Sequence, residues 1–371
     1  MHELATGIVG LPNAGKSTLF NGLVRGAAAV APYPFCTIEP NVGVVPIPDP
    51  VLWQLAELLK PEKVTPATTR FIDIAGLVKH ASKGEGLGNQ FLGHIRQVNA
   101  IAHVLRCFES SEAVHVYGSI DPVRDAEIVE TELLLADLET LSRRQEKLTR
   151  QVKSHDPQVL QEKEWTDRLA AHLAAGRPAR TFALAGEKER QWFDNLFLLT
   201  AKPMVYVANL SEDGWLALAK GQPPSVYVNL EGWANLRGIP LVPVSAALEA
   251  ALADFEAEEA AALRADMGIT TSGLERLVLA SLAALDLIRF YTVKGVEARA
   301  WLIPAGTKAP QAAGQIHSDM ERGFIKAEVI GAPELLAAGN FAAAREKGMV
   351  RSEGKEYEIR DGEVVLFRFA V

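Results

Sequence analysis

The stretch Thr6–Thr18, "TGIVGLPNAGKST", narrows what this chain can become more than any other segment. An apolar run, Ile8-Val9, leads into Gly10. After four intervening residues come Gly15-Lys16-Ser17-Thr18, and Leu19, Phe20 and Leu23 follow at helical spacing. A strand that turns sharply into a helix aims several backbone N–H groups at one point, and the helix N-terminus adds partial positive charge there. Glycine is needed where a Cβ would meet a positive φ angle or an approaching oxygen. The spacing is that of a phosphate cradle. Asn13, Ala14, Gly15, Lys16, Ser17 and Thr18 are its candidate binding residues; Lys16 reaches the β- and γ-phosphates and Ser17 brings a hydroxyl to Mg2+.

Such a cradle belongs to an α/β sheet, and the rest of the chain agrees. Apolar strand candidates are Thr6–Gly10, Val42–Ile47, Arg70–Ile74, Ala100–Phe108, Met204–Ala208 and Leu241–Ser245, with helical patterns such as Pro50–Leu59 and Gly88–Val98 between them. Continuous apolar strands alternating with helices predict a doubly wound, mostly parallel sheet covered on both faces. A chain of 371 residues has room for two or three domains. The formal charge of −8 argues against a surface that coats nucleic acid generally. Cys36 and Cys107 have no motif partner, so neither a metal site nor a disulfide framework is expected. No apolar run approaches the ~18 residues of a membrane span. With no basic, cleavable start before the first strand, a cytoplasmic protein without a membrane partner is expected.

Two stretches leave the sheet pattern. From Asp121 to about Thr200 the chain is charged and helical; Leu134, Leu138, Leu141, Gln145, Leu148 and Val152 alternate steps of four and three, a coiled-coil seam. Asp156-Pro157 reads as N-cap and first residue of a returning helix carrying Leu160, Leu169 and Leu173. Arg143, Arg144, Lys147, Arg150 and Lys153 form a basic strip beside the seam, readable either as a solvated face or as an RNA contact. After Leu285, strands are expected at Phe290–Lys294, Ala298–Ile303 and Phe324–Ile330. A helix is expected at Ala309–Arg322, and a hairpin over Glu356–Phe369 with a type I′ turn at Asp361-Gly362. The expected domains are a nucleotide-binding domain over 1–120 and 201–284, a helical insertion over 121–200, and a small α+β module over 285–369.

Three stretches bear on the chemistry. "DIAG", Asp73–Gly76, ends a strand where an aspartate can hold Mg2+ through a water and the Gly76 N–H can reach a γ-phosphate; with Lys16 these are the catalytic candidates. "YPFCTIEPNVG", Tyr33–Gly43, offers Thr37 as a second hydroxyl for the metal. "ANLSED", Ala208–Asp213, follows the fifth strand where a base would be read.

Cradle, threonine loop and DxxG in this order resemble the switch GTPases of the translation-factor class. The stretches "GLPNAGKSTLFN", "PFCTIEPNVGVVP", "DIAGLVKHASKGEGLGNQFL" and "VLRCFE" resemble the Obg-like ATPase family known as YchF, over essentially the whole chain. The resemblance implies an Obg-related nucleotide-binding domain of P-loop type, a coiled-coil insertion and a C-terminal TGS domain of β-grasp type. It also implies ATP hydrolysis and association with the ribosome or its large subunit, with RNA as a further contact.

The base can be argued from side chains. GTPases carry Asn-Lys-x-Asp, whose aspartate accepts two guanine N–H groups while the lysine stem covers the ring. Here the four residues are Asn209-Leu210-Ser211-Glu212. The lysine is missing and the carboxylate is one methylene longer, which, together with what the resemblance implies, favours ATP over GTP. Asn209, Leu210, Glu212 and, in "SAALE", Ser245 are the expected base contacts. The position after DxxG, a water-orienting glutamine in many GTPases, is Leu77. Among His80, His94, His103 and His115, the last lies nearest the expected site and is the candidate to act on the water, while His103 reads as a satisfied core histidine. Asn13 matches an asparagine with which cation-activated relatives hold K+; a loop-stabilising role fits the residue equally. A GTPase of relaxed base selectivity and a nucleotide-gated scaffold with incidental hydrolysis are the competing readings.

Overall fold

The computed structural model describes residues 4–30, 41–74, 87–110, 114–152, 156–269, 271–294 and 296–370. They fall into two compact units, one within residues 1–45 and 70–281, the other within residues 46–69 and 282–371.

The first unit is built on a six-stranded sheet. Its strands are β1 (Ala5–Val9), β2 (Val42–Pro46), β4 (Thr68–Asp73), β5 (Ala100–Arg106), β6 (Met204–Asn209) and β7 (Leu241–Val244), in the order β2-β4-β1-β5-β6-β7. The pairs β1/β4, β1/β5, β5/β6 and β6/β7 are all parallel. Strands β1, β5 and β6 are buried along their whole length, which explains their unbroken apolar character. The chain leaves β1 through the cradle into α1 (Lys16–Val30). Because β1 lies between β4 and β5, successive connections run to opposite sides of it, and the crevice beyond the carboxyl ends of these strands is where a doubly wound sheet binds ligand.

The helical insertion folds back on itself as expected. Helix α4 (Pro122–Gln151) is capped by Asp121, and α5 (Pro157–Ala174) by Asp156, whose carboxylate accepts from the Gln158 amide at 2.8 Å. Along the seam Leu141 and Leu148 are buried and Leu134 and Leu138 partly so, while Leu160 is exposed. The core extends past the seam: Trp165, Leu169 and Leu173 pack with Ala179, Phe182, Trp192 and Leu198 of the segment leading back to β6. The Ala/Glu-rich stretch after Ser245 resolves into helices Ala246–Leu252 and Ala257–Asp266.

The second unit holds a mixed sheet. It comprises β3 (Lys63–Thr65), β8 (Leu287–Lys294), β9 (Glu297–Pro304), β10 (Phe324–Gly331), β11 (Arg351–Glu353) and β12 (Glu363–Phe369), in the order β11-β10-β12-β8-β9-β3. Its core gathers Phe290, Ile303, Ala309, Ala312, Phe324, Val365 and Phe367, a helix covering one face as in a β-grasp module. Four details differ from expectation. Segment 46–69, read as part of a continuous 1–120, belongs to this unit: β3 pairs parallel with β9, and Asp49, which caps helix α2 (Pro50–Leu59), accepts from the Tyr291 hydroxyl at 2.9 Å. The helix expected at 309–322 breaks at His317, which is extended (φ −160°, ψ 139°) and separates Ala309–Ile316 from Ser318–Arg322. Asp361-Gly362 is not a type I′ turn, because only Gly362 has positive φ (79°); β12 instead pairs antiparallel with β10 and parallel with β8. The short helices Ala332–Ala338 and Phe341–Glu346 stand where nothing was expected.

Candidate functional site

The cradle is shaped by close approach. A Cβ on Gly10 would stand 2.5 Å from the Val104 carbonyl oxygen, and one on Gly15 (φ +92°) 2.2 Å from Asn209 Nδ2, so neither position admits a side chain. Lys16 is buried and donates from Nζ to the Leu11 carbonyl at 2.9 Å. Burial pushes its ammonium below the ordinary lysine value, while the Asp73 charge pulls it back up. The amine is thus held inside the loop that a phosphate would enter.

Ser17, exposed at the first turn of α1, donates from Oγ to Asp73 Oδ2 at 2.8 Å across 56 residues of sequence. The structure therefore brings the expected hydroxyl and carboxylate together at the mouth of the cradle. Thr37 and Gly76, and with them Leu77, His80, Cys36 and Lys153, lie outside the described residues.

Asn13 has positive φ (63°), the conformation an asparagine tolerates in a tight loop. Its Nδ2 donates to the Val114 carbonyl at 3.1 Å, and its own carbonyl accepts from Arg106 Nη1 at 3.4 Å. Arg106 is 2% exposed; Nε also donates to the Phe108 carbonyl at 3.0 Å, and the guanidinium lies 4.8 Å from the Phe108 ring centroid. Sequence reasoning missed this arginine. Its signal was available as the one permanent cation in a strand that is apolar apart from His103.

At the base turn both ends of the Asn209 carboxamide are engaged. Its Nδ2 donates to the Ala14 carbonyl at 2.9 Å and its Oδ1 accepts from the Ala246 amide at 3.0 Å, so it pins the cradle to the start of helix Ala246–Leu252. Leu210 is 2% exposed and belongs to the main core cluster. Ser211 and Glu212 are exposed, Ser211 capping helix Glu212–Ala219 by accepting from the Gly214 amide at 3.1 Å. Ser245 is buried as the cap of helix Ala246–Leu252, and Glu249 is buried where it accepts from Ser272 Oγ and, at 2.6 Å, from the Gly273 amide. Of the four base candidates, Glu212 alone leaves its side chain in solvent.

The histidines also divide. His94 is exposed on α3 (Leu87–Gln97). His103 is fully buried, but neither ring nitrogen has a hydrogen-bond partner, so it is not the satisfied core residue expected; burial, assisted by Lys16, pushes it down to about 3 and keeps it neutral. His115, the candidate to act on the water, has Nε2 2.7 Å from Asp125 Oδ2 and accepts the Tyr117 amide at Nδ1 at 3.1 Å, which packs the ring against the root of α4.

The basic strip on α4 is largely compensated. Arg143 pairs with Glu139, Arg144 with Glu162 on α5, and Arg150 lies 3.9 Å from Glu146. Pairs of this kind weaken the positive field that an RNA backbone would sense. Among the described residues no group of three or more His, Cys, Asp or Glu could hold a metal, and no helix is long and apolar enough to cross a membrane.

Residues 5–154 match a family described as 50S ribosome-binding GTPase, and residues 287–370 match YchF-GTPase_C, described as a protein of unknown function. The chain is 45% identical to "Ribosome-binding ATPase YchF" of Bacillus subtilis over 99% of this chain and 100% of the relative. It is 44% identical to the Escherichia coli protein of the same name over 98% and 99%. A solved structure of the Schizosaccharomyces pombe YchF GTPase superposes with a TM-score of 0.88 at 35% identity, covering 99% of this chain and 98% of that one.

Proposed function

The chain belongs to the YchF family, and on that premise we propose that it is a P-loop ATPase that binds and slowly hydrolyses ATP with Mg2+ and switches its association with the ribosome by the nucleotide it holds. The observation that carries this reading is the 2.8 Å contact of Ser17 with Asp73 beside the buried Lys16. A hydroxyl and a strand-end carboxylate are the hard oxygen donors Mg2+ takes, so these residues fit the ion, which when bound offsets charge on the transferring phosphoryl group. Lys16 orients the β- and γ-phosphates; the cradle amides position them. Thr37 as a further metal hydroxyl, Gly76 as a γ-phosphate donor and K+ at Asn13 complete the reading.

ATP is favoured over GTP because the turn offers no lysine stem and because Asn209 already holds Ala14 and Ala246. Glu212, exposed at the start of its helix, is then the side chain left to read the base edge. The pairing of Arg143, Arg144 and Arg150 leaves the second unit as the stronger candidate for a ribosomal contact. Ribosome association in turn implies a cytoplasmic location.

The test is a titration of ATP and GTP against the full chain, with turnover measured with and without ribosomes. Tighter ATP binding and ribosome-dependent ATP turnover are expected. Equal affinities would support a GTPase of relaxed selectivity, and ATP binding without turnover on or off the ribosome would favour a nucleotide-gated scaffold.

A further inference from the structure

Segment 114–119 touches both the phosphate loop and the root of α4. On the loop side, Asn13 Nδ2 donates to the Val114 carbonyl at 3.1 Å. On the helix side, His115 Nε2 stands 2.7 Å from Asp125 Oδ2, with both side chains 4% exposed. Nδ1 accepts an amide N–H from Tyr117, so the ring proton sits on Nε2 and is donated to Asp125. The other Asp125 oxygen accepts from Arg124 Nη2 at 2.9 Å and Nε at 3.1 Å. Arg124 in turn donates to Ser119 Oγ at 3.0 Å and to the Ser119 carbonyl at 2.8 Å, and lies 5.2 Å from the Tyr117 ring centroid. The segment is stapled to the first turns of α4 by charged hydrogen bonds, the strong kind. A histidine with both nitrogens engaged has no lone pair for a water proton.

We propose that Asp125 is a positioning residue: it holds His115 against α4 with both ring nitrogens occupied, so that release of this pair limits turnover in the free protein. The inference rests on the ATPase reading above, with His115 as the group that acts on the water. Helix α4 carries the hairpin, so a partner that shifts α4 shifts Asp125 relative to His115. Nucleotide reports to the same segment from the other side, because any movement of Asn13 loosens its hydrogen bond to Val114. Two distant events thereby meet at one buried pair.

The experiment is Asp125→Asn in the full chain, which removes the charge and keeps the size. The expected result is about a tenfold rise in ribosome-free kcat at unchanged KM for ATP, the cradle being untouched. The rise should vanish in the His115→Ala/Asp125→Asn double variant. An unchanged or lowered kcat in a single variant that still binds ATP normally overturns the proposal, as does a rise that persists without His115. A long-range 15N–1H spectrum of the wild-type imidazole gives a readout independent of any variant's folding. A slowly exchanging proton on Nε2 supports the pair; a proton on Nδ1, or one exchanging as fast as that of a free imidazole, overturns it. If the wild type binds ATP but never turns it over, the ATPase reading fails, and the spectrum still judges the pair.

Discussion

The Asn209 carboxamide donates to the Ala14 carbonyl at 2.9 Å, joining the end of β6 to the phosphate cradle across 195 residues of sequence. With Oδ1 accepting from Ala246, one side chain sets the distance between the loop that takes phosphates and the loops that flank the base. Asn209→Ala leaves a buried carbonyl and a buried amide unpaired, so stability should fall by roughly 1–3 kcal/mol. ATP affinity should fall with it. Denaturant unfolding and nucleotide titration check both; a variant with normal affinity would remove Asn209 from the site.

Ser17→Ala and Asp73→Asn each take away one of the oxygens meeting at the cradle mouth. Because Ser17 is exposed, its loss should hardly change the melting temperature. ATP turnover should drop by about a hundredfold if these groups hold the metal, which contributes several kcal/mol to such reactions. Mg2+ titrations of turnover provide the check, and a wild-type rate in both variants refutes the assignment.

Base preference can be probed without disturbing the core. Glu212→Asp shortens an exposed side chain and should raise GTP affinity relative to ATP while leaving stability alone. Leu210→Lys, the other half of the GTPase signature, places an ammonium in the core cluster and should cost roughly 1–3 kcal/mol of stability. Competition binding of the two nucleotides, with melting curves beside it, separates the effects.

The hairpin has its own core, so it should be separable from nucleotide binding. Trp165→Ala empties the centre of the cluster formed with Phe182 and Trp192 and should destabilise the protein by ~3–5 kcal/mol. ATP affinity should stay near wild type at temperatures where the variant is folded. Parallel loss of ATP binding under those conditions would contradict that separation.

Cys107 should be chemically silent. Burial, with Asp125 adding to it, pushes its thiol up to about 12, and only the thiolate is reactive. In a Cys36→Ser background a thiol reagent at pH 8 should label nothing in the native protein and one site after denaturation. Rapid native labelling would show that the end of β5 opens.

Some of this was legible in the amino-acid sequence because it is local. The phosphate cradle needs only a strand, two glycines and Lys16-Ser17 in order. The α5 cap needs only Asp156 before Pro157, and a buried parallel strand announces itself as an unbroken apolar run. What meets across the fold was decided by tertiary structure alone. No spacing rule pairs Asn209 with Ala14, seats His115 on Asp125, or lets Glu162 cancel Arg144. No pattern in three residues assigns β3 to the sheet of the second unit. Leu210 reads as a base contact by its place in a motif, while its side chain is buried in the core cluster. Periodicity and turn chemistry act between residues a few positions apart, so the sequence states them directly. Which buried polar group satisfies which other depends on strands and helices brought together from far along the chain, and is settled only when the whole fold packs.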